Sequence, residues 1–435
     1  MIKEIKVFKF GGASIKDADG VRNVAKILQP YASSALVIVV SAMGKITDAL
    51  EKIVAAHEKQ TGDAFLLLEE LKRRHYDIME QLFEPGDPVF DEVNDTFVTI
   101  EWVLEDAPHP NYDFLYDQIV PVGELVSSRI VAAYLNKIGL STQWLDARDI
   151  IKTDDNYREG WVRWEETQNA IDKIARPMLE KGGFVLTQGF IGATAENFNT
   201  TLGREGSDYT AAIFSFCLNA ESMTIWKDVP GVLTGDPRIF ENVTKLDRLS
   251  YREAIEMTYY GAKVIHPKTI KPLQNKSIPL YVKSFVDPAG EGTYIGPDVD
   301  DHYPPMVAVE KGQALLNIAT RDFSFVAEHH MGYLFTKIAE FRLQVNLMQN
   351  TAISFAICVN DIDDKVQLFA ESIKKDFKVT VDSEGLELVT IRHYTPAAVK
   401  MLRRGKIVLV EERTKNTLQM VSKEVPLMRR ISEQR

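Results

Sequence analysis

Lys9, Gly11 and Gly12 are the first residues whose types and spacing could do chemistry. In KFGGAS (9–14) a cation and two adjacent glycines follow the apolar run IKVF (5–8). They precede DGVRNVAKILQ (19–29), where Val21, Val24, Ala25, Ile27 and Leu28 recur at helical spacing. The glycines therefore occupy a strand-to-helix turn, in which backbone N–H groups approach an anion and a helix N-terminus favours negative charge, with Lys9 adding a full positive charge. Alone, the segment reads equally well as a plain turn. Four further segments share its character. VVSAMGKITD (39–48) ends a strand in Ser41, Ala42 and Gly44, and PVGELVSSRIVAAYL (121–135) places Glu124 at a helix start. In TTLGREGSDYTAAIFSF (200–216), Gly203, Arg204, Gly206, Ser207 and Asp208 precede an apolar helix, an anion-binding nest that also holds an acid. WKDVPGVLTGDPR (226–238) is a loop of Asp, Gly and Pro after a strand, suited to gripping a nucleotide edge. GAKVIHPKTI (261–270) adds Lys263 beside Gly261, with His266 read as a structural residue at the start of the next helix. Glycine-rich turns at several strand ends would converge on the carboxyl edge of an α/β sheet, where ligands bind. With Lys9, Arg204, Lys227 and Lys263 on that edge, the natural ligand is a polyphosphate. No Walker A pattern, kinase catalytic-loop pattern or zinc spacing occurs, so no protein metal site is expected.

The elements that must position these residues alternate up to about residue 285. Short apolar strands at 35–40, 142–147, 183–188, 222–227 and 278–284 are separated by helical segments, which predicts an α/β domain with a doubly covered, largely parallel sheet. Residues 45–118 interrupt the alternation with a mostly helical insertion, and its charged stretch EELKRRHYDIMEQLF (69–83) suits a solvated cover or a lid. VDPAGEGTYIGPDVDDHYPP (286–305) is dense in Pro, Gly and Asp and reads as a boundary. Beyond it the rhythm becomes strand 314–320, helix 332–343, strands 345–350 and 353–359, helix 363–376 and strand 378–383. A shortened repeat follows, with strand 386–394, helix 396–404 and strands 406–413 and 417–424, stopping before PLMRRISEQR (426–435). The expected domains are 1–295, 311–384 and 385–435.

Composition bounds the rest. At 435 residues, 45% hydrophobic and 26% charged, the chain is globular and long enough for two or three domains. A formal net charge of −11 argues against a nucleic-acid or anionic-membrane surface, so an anionic substrate must be held by local cations. The N-terminus carries no leader-like apolar core and no run approaches membrane-spanning length, so a soluble cytoplasmic protein is expected. Cys217 and Cys358 sit in apolar runs and are expected to be buried, reduced thiols.

These segments, in this order, resemble the aspartate kinases of the amino-acid kinase superfamily over almost the whole chain. KFGGAS resembles the family's KFGGTS and PVGELVSSRI its glycine–glutamate helix start. TTLGREGSDYTAA resembles TTLGRGGSDYTA, WKDVPGVLTGDPR the nucleotide loop, and GAKVIHP the family's GAKVLHP. The C-terminal repeats look like paired ACT domains that sense an amino-acid end product. The resemblance implies ATP and Mg²⁺ as cofactors and transfer of the γ-phosphate to the β-carboxylate of L-aspartate, giving 4-phospho-L-aspartate for lysine, threonine and methionine synthesis. It assigns Lys9 to the transferring phosphoryl group, Gly11, Gly12 and Ser14 to the phosphate cradle, Lys263 to charge neutralisation from the opposite side, and Asp208 to orienting the lysines or the substrate ammonium. Arg204 suits the α-carboxylate of aspartate, Glu124 its ammonium, and Ser41, Thr47 and Ser207 the rest of the substrate, while Lys227, Asp228, Gly231 and Asp236 would hold the nucleotide. ACT-like pairing implies a homodimer or higher, with an effector site at His330, Gly332, Tyr333, Asn346 and Thr351. Lysine-inhibited relatives often carry an aspartate at the place of Asn346 and a glutamate at that of Ala352. Weak or absent lysine inhibition is therefore expected, threonine or another small amino acid being the better effector. Two departures stand out. Glu205 replaces a common glycine and is expected to face solvent, and the loop TAENFNTT (194–201) is unusual. The alternatives are another small-molecule kinase of the superfamily or a catalytically inactive amino-acid sensor, while a fused homoserine dehydrogenase does not fit the length.

Overall fold

The computed structural model describes residues 4–425 except 263, 264, 301, 323 and 363. The chain divides into two compact units, one made of 1–232, 245–255 and 264–301 and the other of 233–244, 256–263 and 302–435.

The first unit is built on an eight-stranded sheet. Its strands are β1 (Lys6–Phe10), β2 (Leu36–Val40), β3 (Thr142–Leu145), β4 (Phe184–Gln188), β7 (Ser222–Lys227), β8 (Arg248–Ser250), β9 (Leu280–Ser284) and β10 (Thr293–Gly296), in the order β3-β4-β2-β1-β7-β9-β10-β8. A small hairpin, β5 (Ile191–Ala193) with β6 (Asn199–Thr201), holds the unusual 194–201 loop. All pairings from β3 across to β9 are parallel, and only β10 runs against β9. β2, LVIVV, is buried throughout, as a strand covered on both faces must be. Phe10 pairs with Val40 and with Trp226, and Val40 with Gln188, so β1, β2, β4 and β7 end along one edge. β1 has β2 on one side and β7 on the other, and the connections diverge there, which opens a crevice at the strand ends.

Alternation along β1 sorts its side chains. Phe8 and Phe10 join a core with Ile38, Val40 and Trp226, while Lys9 points to the other face. That face is covered by the helix Gly206–Leu218, which packs on β1, β2 and β7 and is buried almost all round. The 45–118 segment forms the helices Ile46–Glu58, Ala64–Leu82, Val89–Glu105 and Tyr112–Ile119. It is not a solvated lid. Leu50, Leu68, Leu71, Met79, Phe97 and Ile100 belong to the same core as Phe10, and the charges of 69–83 sit mainly on the outer face.

The second unit carries a six-stranded sheet of β11 (Met306–Thr320), β12 (Val345–Asn350), β13 (Ser354–Asn360), β14 (Phe377–Arg392), β15 (Lys406–Arg413) and β16 (Thr417–Glu424), in the order β12-β13-β11-β14-β16-β15, all antiparallel. The strands expected at 378–383 and 386–394 are one strand. β14 runs through Gly385, and its partner β11 through Gly312, both at positive φ (65° and 69°), where the register shifts and the ladder bends without breaking. The helices Glu328–Glu340 and Lys365–Ile373 cover one half of the sheet through Leu334, Ile338, Phe369 and Ile373. The helix Pro396–Arg403 covers the other half through Val399 and Leu402. This is the expected amino-acid kinase sheet followed by α+β ACT-like units. Cys217 and Cys358 are free and buried. Among the described residues no helix is long and apolar enough to cross a membrane.

Candidate active site

The strand ends of the first unit gather a buried charge cluster. Lys9, last but one in β1, places its Nζ 2.6 Å from Oδ1 of Asp208, and Lys227, the last residue of β7, stands 3.8 Å from Oδ2. Asp208 is fully buried in the first turn of its helix. Burial alone would raise its carboxyl, but the two ammonium groups outweigh that and hold it below the usual carboxylate range. The two lysines, from neighbouring strands, are thus set at fixed positions by one carboxylate.

Beside them, residues 12–15 form a 3₁₀ turn. A Cβ on Gly12 would lie 2.5 Å from the carbonyl oxygen of Ala42, so only glycine lets this turn and the 41–45 turn touch. Gly44 N–H donates to the Gly12 carbonyl (3.0 Å), and Ser41 N–H to that of Phe10 (3.1 Å). Gly11 is adjacent to Lys9 Nζ, with 3.4 Å between that atom and a built Cβ. Ser14 is buried, and its hydroxyl donates to the Gly11 carbonyl at 2.6 Å, closing the turn from within.

Glu124 lies in the first turn of the helix Val122–Lys137 and is buried. Its Oε1 accepts only a long bond from Ala42 N–H (3.4 Å), and its Oε2 has no partner among the described residues. Burial pushes its carboxyl up to about 8. Ser41 borders the same turn, its carbonyl held by the Ser127 hydroxyl at 2.7 Å, and half-buried Thr47 sits in the first turn of Ile46–Glu58. Ser207 is buried at the start of the Asp208 helix, whereas Arg204 is exposed and forms no ion pair with Glu124 among the described residues. Asp228 is exposed after β7, and Gly231 is buried against Thr293, whose hydroxyl accepts from Val232 N–H at 2.8 Å. Lys263 lies outside the described residues. His266 caps the helix Pro267–Asn275, its Nδ1 accepting from Lys268 N–H at 3.3 Å.

Glu205, expected to face solvent, is half-buried on a left-handed backbone (φ 55°); burial, then the charge of Asp208, raise its carboxyl, with Lys227 and Lys9 pulling the other way. Asp117 was not singled out in the sequence. It is fully buried and accepts from the N–H groups of Arg158 (2.8 Å) and Thr201 (2.9 Å) and from the Thr201 hydroxyl (2.8 Å), which fixes the segment leading to Arg204. Its signal was an acid on the apolar side of LYDQIV, beside Leu115 and Ile119.

In the second unit, Asp236 accepts from Arg238 at Nε (3.0 Å) and Nη2 (2.7 Å). His330 and Tyr333, on the first turns of Glu328–Glu340, line a cleft of about 640 Å³ with Thr320, Asp322, His329 and Phe377, and Gly332 is exposed between them. Asn346 is elsewhere. Its amide donates to Gln313 Oε1 (2.9 Å) and Asn360 Oδ1 (2.7 Å), and Thr351 is exposed in the β12–β13 turn.

The profile of the Amino acid kinase family matches residues 4–284. Lysine-sensitive aspartokinase 3 of Escherichia coli (strain K12) is 33% identical over 369 residues, 82% of this chain and 79% of the relative. The chain belongs to the amino acid kinase family, in its aspartokinase branch. E. coli aspartokinase III in complex with aspartate and ADP is similar at a TM-score of 0.83 and 27% identity, covering 97% of this chain and 96% of that one. The same enzyme in complex with lysine and aspartate gives 0.80 and 28% over the same shares. For this aspartokinase-family chain, the strand-end cluster is the candidate catalytic centre.

Proposed function

We propose that this chain is an aspartate kinase, transferring the γ-phosphate of ATP to the β-carboxylate of L-aspartate to give 4-phospho-L-aspartate and ADP. The observation that carries the reading is the Lys9–Asp208–Lys227 cluster beside the paired glycine turns, in the crevice where the connections on either side of β1 diverge. A carboxylate attacking a phosphoryl group brings two anions together. Catalysis then lies in positioning and charge neutralisation, and an ionised carboxylate needs no general base. Lys9 would meet the transferring phosphoryl oxygens as charge moves onto the leaving ADP. Asp208 fixes the lysine positions, and Lys227, Asp228 and Gly231 border the nucleotide. The unpartnered Oε2 of Glu124 is the natural acceptor for the substrate ammonium, and Arg204 can swing to the α-carboxylate as a bidentate donor.

Mg²⁺ enters with the nucleotide. Among the described residues no three His, Cys, Asp or Glu side chains converge, and Asp208 is already held by lysines. The phosphates would supply most of the ion's ligands, and MgATP is taken as the substrate. In the second unit β12 is an edge strand, open to pairing with another copy, which supports a homodimer or higher. The lysine-bound relative makes an amino acid the effector class, with the His330–Tyr333 cleft as its candidate site.

An ADP-release assay across aspartate, glutamate, N-acetylglutamate, carbamate and UMP tests the reading. Turnover confined to aspartate is expected, and preference for any of the others would reassign the substrate.

A further inference from the structure

We propose that Asp117 is a positioning residue of the amino-acid subsite, which holds the segment carrying Arg204 against the helix that leads to Glu124. The proposal rests on the kinase reading above, in which those two side chains meet the α-carboxylate and the ammonium of aspartate. Asp117 lies in the helix Tyr112–Ile119, and only Val120 and Pro121 separate that helix from the one whose first turn carries Glu124. On the other side Thr201 ends β6, three residues before Arg204. Asp117 Oδ2 accepts from the Thr201 N–H (2.9 Å) and Oδ1 from the Thr201 hydroxyl (2.8 Å), so both carboxylate oxygens grip the end of the strand. Burial raises the Asp117 carboxyl to about 6, which leaves it ionised and purely an acceptor at pH 7.5.

Oδ2 also accepts from the Arg158 N–H at 2.8 Å, and this third bond brings in a loop that brackets the segment from outside. Arg158 has a left-handed backbone (φ 68°), which a residue other than glycine adopts at a cost. It is held there by Asp117 and by its own guanidinium, which pairs with Asp113 at 3.3 Å and lies 4.4 Å from the centre of the Tyr116 ring, both on the Asp117 helix. The loop so fixed meets the Arg204 segment twice. Gly160 N–H donates to the Thr201 carbonyl at 2.9 Å, and Gly203, at φ 69°, passes so near the Arg158 carbonyl that a Cβ would stand 3.1 Å from its oxygen. Between them, the Leu202 carbonyl accepts from Lys268 Nζ at 2.6 Å. Thr201, Leu202 and Gly203 are therefore tied down, while Arg204 stays exposed. An apolar residue at 117 would leave the Arg158 and Thr201 donors unpaired and free this segment. Asp208 does not share the support, since its helix packs on β1, β2 and β7, so the phosphate side of the site stands without Asp117.

The test is steady-state kinetics of the full chain, with aspartate and MgATP varied in turn, beside thermal unfolding. Asp117→Ala should raise KM for aspartate about 10–100-fold, the scale of a displaced positioning group, with KM for MgATP within about twofold of the unmodified value. Asp117→Asn should recover most of that loss, because its Oδ1 can take both N–H groups while its amide donates to the Thr201 hydroxyl. A role confined to stability would not separate the two substrates in this way. Thr201→Val removes only the hydroxyl bond and should raise KM for aspartate about 2–5-fold, with Thr201→Ser close to the unmodified protein, and this pair decides the matter if Asp117→Ala does not fold. A lower Tm or a fall in kcat with KM for aspartate unchanged, or equal rises in both KM values, overturns the proposal and leaves the kinase reading standing. Absence of aspartate phosphorylation by the unmodified protein overturns both.

Discussion

At the scale of single residues, burial and charge divide two carboxylates, Asp208 and Glu124. Asp208 is ionised because two lysines reach it. Glu124, equally buried, has no cation within ion-pairing distance among the described residues, and its carboxyl rises to about 8. Lys9→Ala should lower kcat about 10²–10³-fold, the scale of losing one preorganised charge-stabilising donor. A rise in KM with kcat unchanged would place Lys9 in ground-state binding instead. Glu124 predicts a pH effect whose sign follows from its raised value. Below about 8 it is neutral and a poor partner for an ammonium, and above it the carboxylate forms. KM for aspartate should therefore fall between pH 6.5 and 8.5, and Glu124→Gln should flatten that fall. An equal slope in the variant would remove Glu124 from the ammonium site.

At the scale of elements, the helices of 46–119 act as core and carry a measurable liability. His75 is fully buried in Ala64–Leu82, its Nδ1 2.9 Å from the Leu71 carbonyl and its ring edge-on to Phe97. Burial lowers it from 6.5 to about 4. The unfolded chain then binds this proton more readily than the folded one, so stability is full above pH 6.5 and is lost as pH falls toward 4. The loss reaches about 3 kcal/mol. Urea unfolding at pH 7 and pH 4.5 should show this loss, reduced in His75→Gln, and equal losses in both proteins would contradict it. These elements also show what the sequence makes legible. KFGGAS, the 200–216 segment and the strand alternation depend on near neighbours, and the strand ends bring Lys9, Asp208 and Lys227 together. The partial burial of Glu205 depends on elements distant in sequence and on a left-handed backbone that its residue type does not reveal. The charges of 69–83 suggested a solvated cover, but helical periodicity puts Leu68, Leu71 and His75 on the inner face. A glycine between two apolar runs suggested two strands where a bulge joins them.

At the scale of the whole molecule, the unit that carries the Lys9–Asp208–Lys227 cluster is combined with a second unit whose His330–Tyr333 cleft is proposed to take an amino acid. Asn346 lies outside the His330–Tyr333 cleft, tied into a neutral amide cluster with Gln313 and Asn360, so an effector taken at that position finds no carboxylate for a lysine ammonium, whose unpaired burial would be costly. Titrating lysine and threonine against initial rate should show weak or absent inhibition by lysine, with Asn346→Asp increasing it. Strong lysine inhibition of the unmodified protein would place the ammonium partner elsewhere. The central claim is chemical, and it is tested most directly by trapping the product. Purified protein with MgATP, hydroxylamine and L-aspartate should form aspartyl hydroxamate in step with ADP release, and far faster than the glutamyl hydroxamate from L-glutamate. ADP release without aspartate-dependent hydroxamate, or equal rates with both amino acids, would contradict the account.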